Sequence, residues 1–362
     1  MSVRIRPAIE VVPDYDPRDL TDDGITIRLH RNEGALPPPE FVLEVIRSVD
    51  AETLRTYPTS LQRDVTARLA ARFSREEGNL VLANGADEIL AACARIMLDP
   101  GDVALTLTPT FGMYGRIIAL AGGQLRRVPY ATRWRFEPLD LIEAADERTR
   151  LVILGHPNNP TTEPLRIGDL AAVARALPDA LILVDEVYLA FSERSLARET
   201  ALFANVVVVG SFSKCASLAG ARLGYALAPP AVATALRRSM GPYPVSALSL
   251  LAAQAYLRDP SRTRAFETQL EAQVARSLDA FESAFKPFAR DIWRGPANFL
   301  LVDCGSAAPA IRDALSLRGI AVRVFDDPML AGMLRVSATN DQDTDTVVRA
   351  LRTIAAEVTS YA

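Results

Sequence analysis

Only two lysines, Lys214 and Lys286, stand among 40 lysines and arginines. Arginine serves well for surface charge and ion pairs, but its guanidinium stays protonated and cannot act as an amine nucleophile. Lys214 sits in Ser211-Phe212-Ser213-Lys214-Cys215-Ala216-Ser217-Leu218-Ala219-Gly220-Ala221-Arg222, directly after the apolar run 205–210. An amine at the end of a buried strand, flanked by small hydroxyl residues, is suited to condensing with a carbonyl. A solvated loop lysine is the bland alternative, and the scarcity and setting of Lys214 argue against it.

Three further segments carry matching chemistry. Asn84-Gly85-Ala86-Asp87-Glu88 opens a helix, and free amides at a helix N-terminus suit a phosphate. Alone it also describes an ordinary helix start. His156-Pro157-Asn158-Asn159-Pro160-Thr161-Thr162 is a rigid polar turn after the strand 150–154, able to aim an amide at a ring oxygen. Asp185 closes a strongly apolar strand, where a carboxylate needs a partner. That partner is a protonated ring nitrogen or a nearby arginine. With Ser211, Ser213 and Arg222 as further anion ligands, one molecule would use all four segments: pyridoxal phosphate.

Strands and helices must bring these segments together. Strands are expected at 79–83, 103–107, 124–129, 150–154, 180–185, 205–210 and 222–228, with helices at 40–50, 60–73 and 86–97. Continuously apolar strands alternating with helices predict an α/β fold whose mainly parallel, seven-stranded-type sheet is covered on both faces. Long helices over 246–286 break at Asp259-Pro260. Strands at 298–303, 320–324 and 333–338, with helices at 306–318 and 341–358, complete a smaller α+β unit. The expected division is an N-terminal arm over 1–39, a large domain over 40–255 and a small C-terminal domain over 256–362.

Composition excludes several classes. A net charge of −4 disfavours nucleic acid and anionic membranes as main partners. No apolar stretch approaches the roughly 20 residues that span a bilayer. Three cysteines and two histidines give no disulfide framework and no multi-histidine metal site. A cytoplasmic enzyme is the expectation.

The chain resembles the fold-type I pyridoxal-phosphate enzymes of aminotransferase class I/II, and most of all their histidinol-phosphate aminotransferase subfamily. The resemblance runs through Leu29-His30-Arg31-Asn32-Glu33, Tyr57-Pro58, Gly85-Ala86-Asp87-Glu88 and Pro109-Thr110-Phe111-Gly112-Met113-Tyr114. It continues through Asn158-Asn159-Pro160-Thr161, Asp185-Glu186-Val187-Tyr188, Ser213-Lys214 and Arg335-Val336-Ser337. It implies that Lys214 bonds the cofactor aldehyde and shuttles the proton, that Asp185 pairs with the ring nitrogen, and that Asn159 and Tyr188 hydrogen-bond the ring oxygen. Phe111 would stack on the ring. Gly85, Ala86, Asp87, Ser211, Ser213 and Arg222 would hold the phosphate, with Tyr57 reaching the phosphate of a neighbouring subunit in a homodimer. Arg335 would grip the substrate carboxylate and Arg323 a distal anion.

The implied reaction is ping-pong amino transfer in histidine biosynthesis, with histidinol phosphate and 2-oxoglutarate as the leading pair. Decarboxylation of a phosphorylated amino acid, as in the similar threonine-phosphate decarboxylases, is the alternative, as is an aromatic or biosynthetic-cluster amino acid substrate. The chain departs from the pattern at Thr162, where glycine is usual, at Phe111, where tyrosine is frequent, and in Asn32-Glu33-Gly34-Ala35-Leu36.

Overall fold

Leu181–Val184 and Val206–Val209 carry an apolar residue at every position, so neither face of these strands can turn to water. The computed structural model describes residues 3, 7–10, 12, 24–131, 134–189 and 192–359. Its strands are β1 (Ile27–Leu29), β2 (Leu80–Ala83), β3 (Val103–Thr108), β4 (Gln124–Pro129), β5 (Thr149–Gly155) and β6 (Leu181–Asp185). They continue as β7 (Val206–Ser211), β8 (Gly224–Leu227), β9 (Asp291–Arg294), β10 (Phe299–Asp303), β11 (Ile320–Val322) and β12 (Met333–Ser337).

Seven of them form one sheet in the order β2-β8-β7-β6-β5-β3-β4. All pairings are parallel except those of β8, which runs antiparallel to β2 and β7. Alternate residues feed two cores. Leu181, Leu183, Val207 and Val209 pack with Ile89, Leu90, Ile117 and Leu236. Ile182, Val184, Val206 and Val208 pack with Leu69, Leu141, Leu170 and Leu250. From β3 the chain crosses to β4 on one side and returns to β5 on the other, and open α/β sheets bind ligands beyond the strand ends at such a reversal.

A second sheet, β12-β10-β9, is antiparallel. It meets the first through the long helices Ala247–Arg258 and Pro260–Phe285. Residue 255 lies inside the first of these. The break comes at Asp259, whose carboxylate accepts the N–H groups of Ser261 and Arg262 at 3.0 and 3.2 Å.

Several expected boundaries move, each for a local reason. The helix expected over 40–50 ends at Arg47, because Asp50 caps a separate helix, Ala51–Arg55, by accepting the Thr53 N–H at 2.8 Å. The strand expected from 222 starts at Gly224, because Arg222 has a left-handed φ of +49°. Residues 1, 2, 4–6, 11 and 13–23 of the N-terminal arm lie outside the described residues. Its end is no loose covering: β1 pairs in parallel with β11, Ile27 opposite Ile320. No helix among the described residues is long and apolar enough to cross a membrane.

Candidate active site

The carboxyl ends of β3, β5, β6 and β7 open on a cavity of about 570 Å³. Among the residues expected there, Ala86, Asp87, Phe111, Asn159, Asp185, Tyr188, Ser211, Ser213, Lys214, Arg222, Arg323 and Arg335 line it. Gly85 stands just behind, as the N-cap of the helix Ala86–Met97. Tyr57 does not enter the cavity of its own chain. It is 76% exposed and stacks on Tyr243 with ring centroids 4.5 Å apart.

One end of the cavity is an anion cradle. Gly85 has φ +83°, and a Cβ there would lie 2.6 Å from Arg222 Nη2. A Cβ on Gly224 would lie 2.5 Å from the Gly85 carbonyl carbon and 2.6 Å from the Ala86 nitrogen. The helix N-terminus, with its free amides, is thus pressed against Arg222 and β8 by two glycines. Ser211 Oγ accepts the Ser213 N–H at 3.0 Å and lies 2.9 Å from Ser213 Oγ, which gathers two hydroxyls in the cavity that Arg222 also lines. Amides, hydroxyls and one arginine are the donor set of a phosphate site. Gly224→Ala is expected to lower stability by about 1–3 kcal/mol and cofactor affinity about tenfold. Thermal unfolding and equilibrium dialysis check this, and an unchanged affinity would place the phosphate elsewhere.

Asp185 occupies the middle. It is 6% exposed, and its Oδ2 accepts the Tyr114 hydroxyl at 2.8 Å while Oδ1 accepts the Val187 N–H at 3.2 Å. Burial pushes its carboxyl up to about 6, against the pull of those two donors. Lys214 stands across the cavity, with Nζ donating to the Arg31 carbonyl at 2.8 Å. Burial, aided by the Arg335 and Arg222 charges, brings its amine down to about 8. A carboxylate held short of solvent and an amine close to its neutral form are complementary to a cationic ring bearing an aldehyde.

The cavity is also lined by Arg335, 8% exposed. Its Nη1 donates to Asn159 Oδ1 at 2.6 Å and its Nη2 to the His30 carbonyl. Asn159 Nδ2 in turn donates to Tyr188 Oη at 3.1 Å. Arg323 and Arg335 exchange backbone hydrogen bonds of 3.0 and 2.9 Å, so both belong to one wall. Phe111 meets Tyr114 edge-on, ring centroids 5.6 Å apart.

Two residues within the motifs, Tyr114 and Asn32, have roles that the motifs alone do not assign. Tyr114 proves to be the hydroxyl on Asp185, and Asn32 a second amide on Tyr188. The spacing of Tyr114, three residues after Phe111 at the start of a helix, was a usable signal. Asn32 depends on a distant strand, which spacing does not show.

Residues 25–351 match the profile of the aminotransferase class I and II family. The chain belongs to the class I and II aminotransferases. A histidinol-phosphate aminotransferase of Symbiobacterium thermophilum is 31% identical, over 96% of this chain and 98% of its own length. The crystal structure of a histidinol-phosphate aminotransferase from Sinorhizobium meliloti, in complex with pyridoxal-5'-phosphate, superposes with a TM-score of 0.89. It is 27% identical and covers 99% of both chains. The aspartate aminotransferase of Thermus thermophilus shares the fold at a TM-score of 0.83 and 22% identity, covering 98% of this chain and 99% of its own. As a class I and II aminotransferase this chain is a pyridoxal-phosphate enzyme, and the cradle, Asp185 and Lys214 fit that group.

The Thr162 departure now has a physical description. Thr162 keeps the left-handed backbone that glycine adopts freely, φ +63°, while 4% exposed. For a β-branched residue this costs about 1–2 kcal/mol. Gly295 lies over it so closely that a Cβ would come within 2.0 Å of the Thr162 carbonyl oxygen.

Proposed function

We propose that this aminotransferase moves an amino group between histidinol phosphate and 2-oxoglutarate, in the cytoplasm, as a homodimer with Lys214 as its proton-shuttling amine. The observation that carries the reading is the pair Arg335 and Arg323, on adjoining backbone, lining the cavity that Lys214 enters. Two guanidiniums suit ligands with an anion at each end, as both carboxylates of glutamate provide. One of them would take the phosphate of histidinol phosphate. The name and 31% identity of the Symbiobacterium relative support that choice.

Pyridoxal phosphate, when bound, supplies an aldehyde for the amino group and a cationic ring that accepts the electrons of a broken Cα–H bond. The chain does the rest. Lys214, freed by the incoming amine, would take the proton from Cα and deliver it to the cofactor carbon that bears the aldehyde. Asp185 would set its negative charge against the positive charge of the ring nitrogen. Arg335 would orient the carboxylate.

Asp326 and Asp327 line the same mouth as Arg323. A distal phosphate therefore depends on Arg323 to offset two carboxylates. Arg323→Gln is expected to raise KM for histidinol phosphate about 10- to 100-fold and to change KM for amino acids without a distal anion little. Equal changes for both would remove Arg323 from the distal site. A half-reaction screen of histidinol phosphate, glutamate and aromatic amino acids, followed by cofactor absorbance, identifies the donor. Carbon dioxide release without amine-form cofactor would replace amino transfer by decarboxylation.

The exposed Tyr57–Tyr243 stack supports the dimer, since a phosphate-directed tyrosine that faces away from its own cavity has a use in a neighbour's. Sedimentation reporting a monomer that is fully active would overturn that part.

A further inference from the structure

Asn32 is 1% exposed and keeps a left-handed φ of +52°, which asparagine accepts more readily than most residues with a Cβ. Its side chain joins two distant segments. Nδ2 donates to Tyr188 Oη at 2.9 Å, and Oδ1 lies 2.8 Å from Ser337 Oγ. Its backbone N–H donates to the same Ser337 oxygen at 3.0 Å. Ser337 stands two residues beyond Arg335 on β12, and Arg335 bonds Asn159, which bonds Tyr188. The hydrogen bonds, together with the two-residue stretch of β12 from Arg335 to Ser337, therefore close a circuit through Tyr188, Asn159, Arg335, Ser337 and Asn32.

A phenolic oxygen has two lone pairs and one hydrogen. The Asn32 and Asn159 amides both donate to Tyr188 Oη, so its lone pairs are taken and its hydrogen is left for a third group. Tyr188 lines the cavity, and the open side is the cavity itself. Each donor on a hydroxyl oxygen also strengthens the hydrogen bond that the hydroxyl gives.

We propose that Asn32 is a positioning residue: anchored by Ser337 on the strand of Arg335, it commits the Tyr188 hydroxyl to donate to the oxygen on the cofactor ring. The arm is then a working part of the site and not only a wall. The charged and titratable groups facing Tyr188 are Arg335 from β12, Asp185 from β6, Tyr114 from the helix Met113–Ala121 and Lys214 after β7. All of them remain in place in the variants below. The inference rests on the cofactor and not on the substrate reading, so its test uses no substrate.

The test is the pH midpoint of the visible absorbance change of the cofactor-loaded enzyme. Asn32→Gly removes the amide while tolerating the left-handed backbone and keeping the N–H to Ser337. Asn32→Asp keeps the shape and replaces the donor by an acceptor, which draws the Tyr188 hydrogen away from the cavity. A ring oxygen short of a donor holds a shared proton more tightly, so both midpoints rise. The expected rise is about half a unit for Asn32→Gly and about one unit or more for Asn32→Asp. Ser337→Ala shifts the midpoint the same way by less, with thermal unfolding reporting an intact fold. A midpoint unchanged in Asn32→Gly overturns the proposal, as does a shift confined to Asn32→Asp, which would be a charge effect alone. If Asn32→Gly does not retain cofactor, an unchanged Ser337→Ala midpoint overturns it.

Discussion

Lys214→Arg leaves a folded protein whose amino transfer falls by about 10⁴-fold or more. The substitution keeps a positive charge and a long side chain, so it isolates the property that matters, an amine that can lose its proton. Arginine fills every other basic role in this chain except at Lys286, and at position 214 it would remain charged at any working pH. Two measurements check this. Borohydride treatment of the loaded enzyme fixes the cofactor on the peptide containing Lys214 in the parent and on no peptide in the variant. The rate of cofactor uptake by the parent rises with pH through about 8, because the neutral amine attacks and the site brings its proton affinity down to that value from 10.5. The sign follows from the direction of the shift: lowering pH through 8 refills the amine with a proton and slows uptake. A rate flat across that range, or a Lys214→Arg variant that still turns over, would remove Lys214 from the chemistry.

Much of this fold is written in its strands. Leu181–Val184 and Val206–Val209 can only be central strands, and they place Asp185 and Ser211 at the same sheet edge. Lys214 was legible because the chain is so poor in lysine. The parts that were not legible depend on pairings between distant segments. Nothing in Ile27-Arg28-Leu29 announces that it will lie beside Ile320, and a three-residue strand has too little alternation to be recognised. The same pairing sets Asn32 beside Ser337 and Asn298, whose amide donates to the Asn32 and Glu33 carbonyls. Left-handed backbone at Thr162 and Arg222 is likewise imposed by packing and not by local preference. Thr162 shows the reverse case. Resemblance marked it as an oddity, and the backbone shows why glycine is the easier residue there.

Asp185→Asn should move stability and activity in opposite directions. The carboxyl is pushed up from 3.8 to about 6 by burial, so the folded cofactor-free chain binds its proton more tightly than the unfolded chain. A raised carboxyl contributes stability that is present below pH 3.8 and lost as pH rises through 6. At neutral pH the cofactor-free protein therefore carries a charge it has not compensated, at a cost of about 1–3 kcal/mol. Asparagine removes that charge and still accepts the Tyr114 hydroxyl, but it gives up the acceptor for the Val187 N–H, which takes back part of the gain, so the cofactor-free variant should unfold at a modestly higher temperature at neutral pH. Its advantage should disappear near pH 4. In the loaded enzyme the carboxylate would have the cationic ring as its partner, a role the neutral amide cannot fill. Turnover should fall about 10²- to 10³-fold, the usual loss when one preorganised charge at the reacting centre is removed. A functional carboxylate is thus paid for in stability until its ligand arrives. Thermal unfolding across pH without cofactor, set beside kcat with it, tests both halves. A variant less stable than the parent at neutral pH, with turnover unimpaired, would mean that Asp185 is an ordinary buried acceptor for Tyr114.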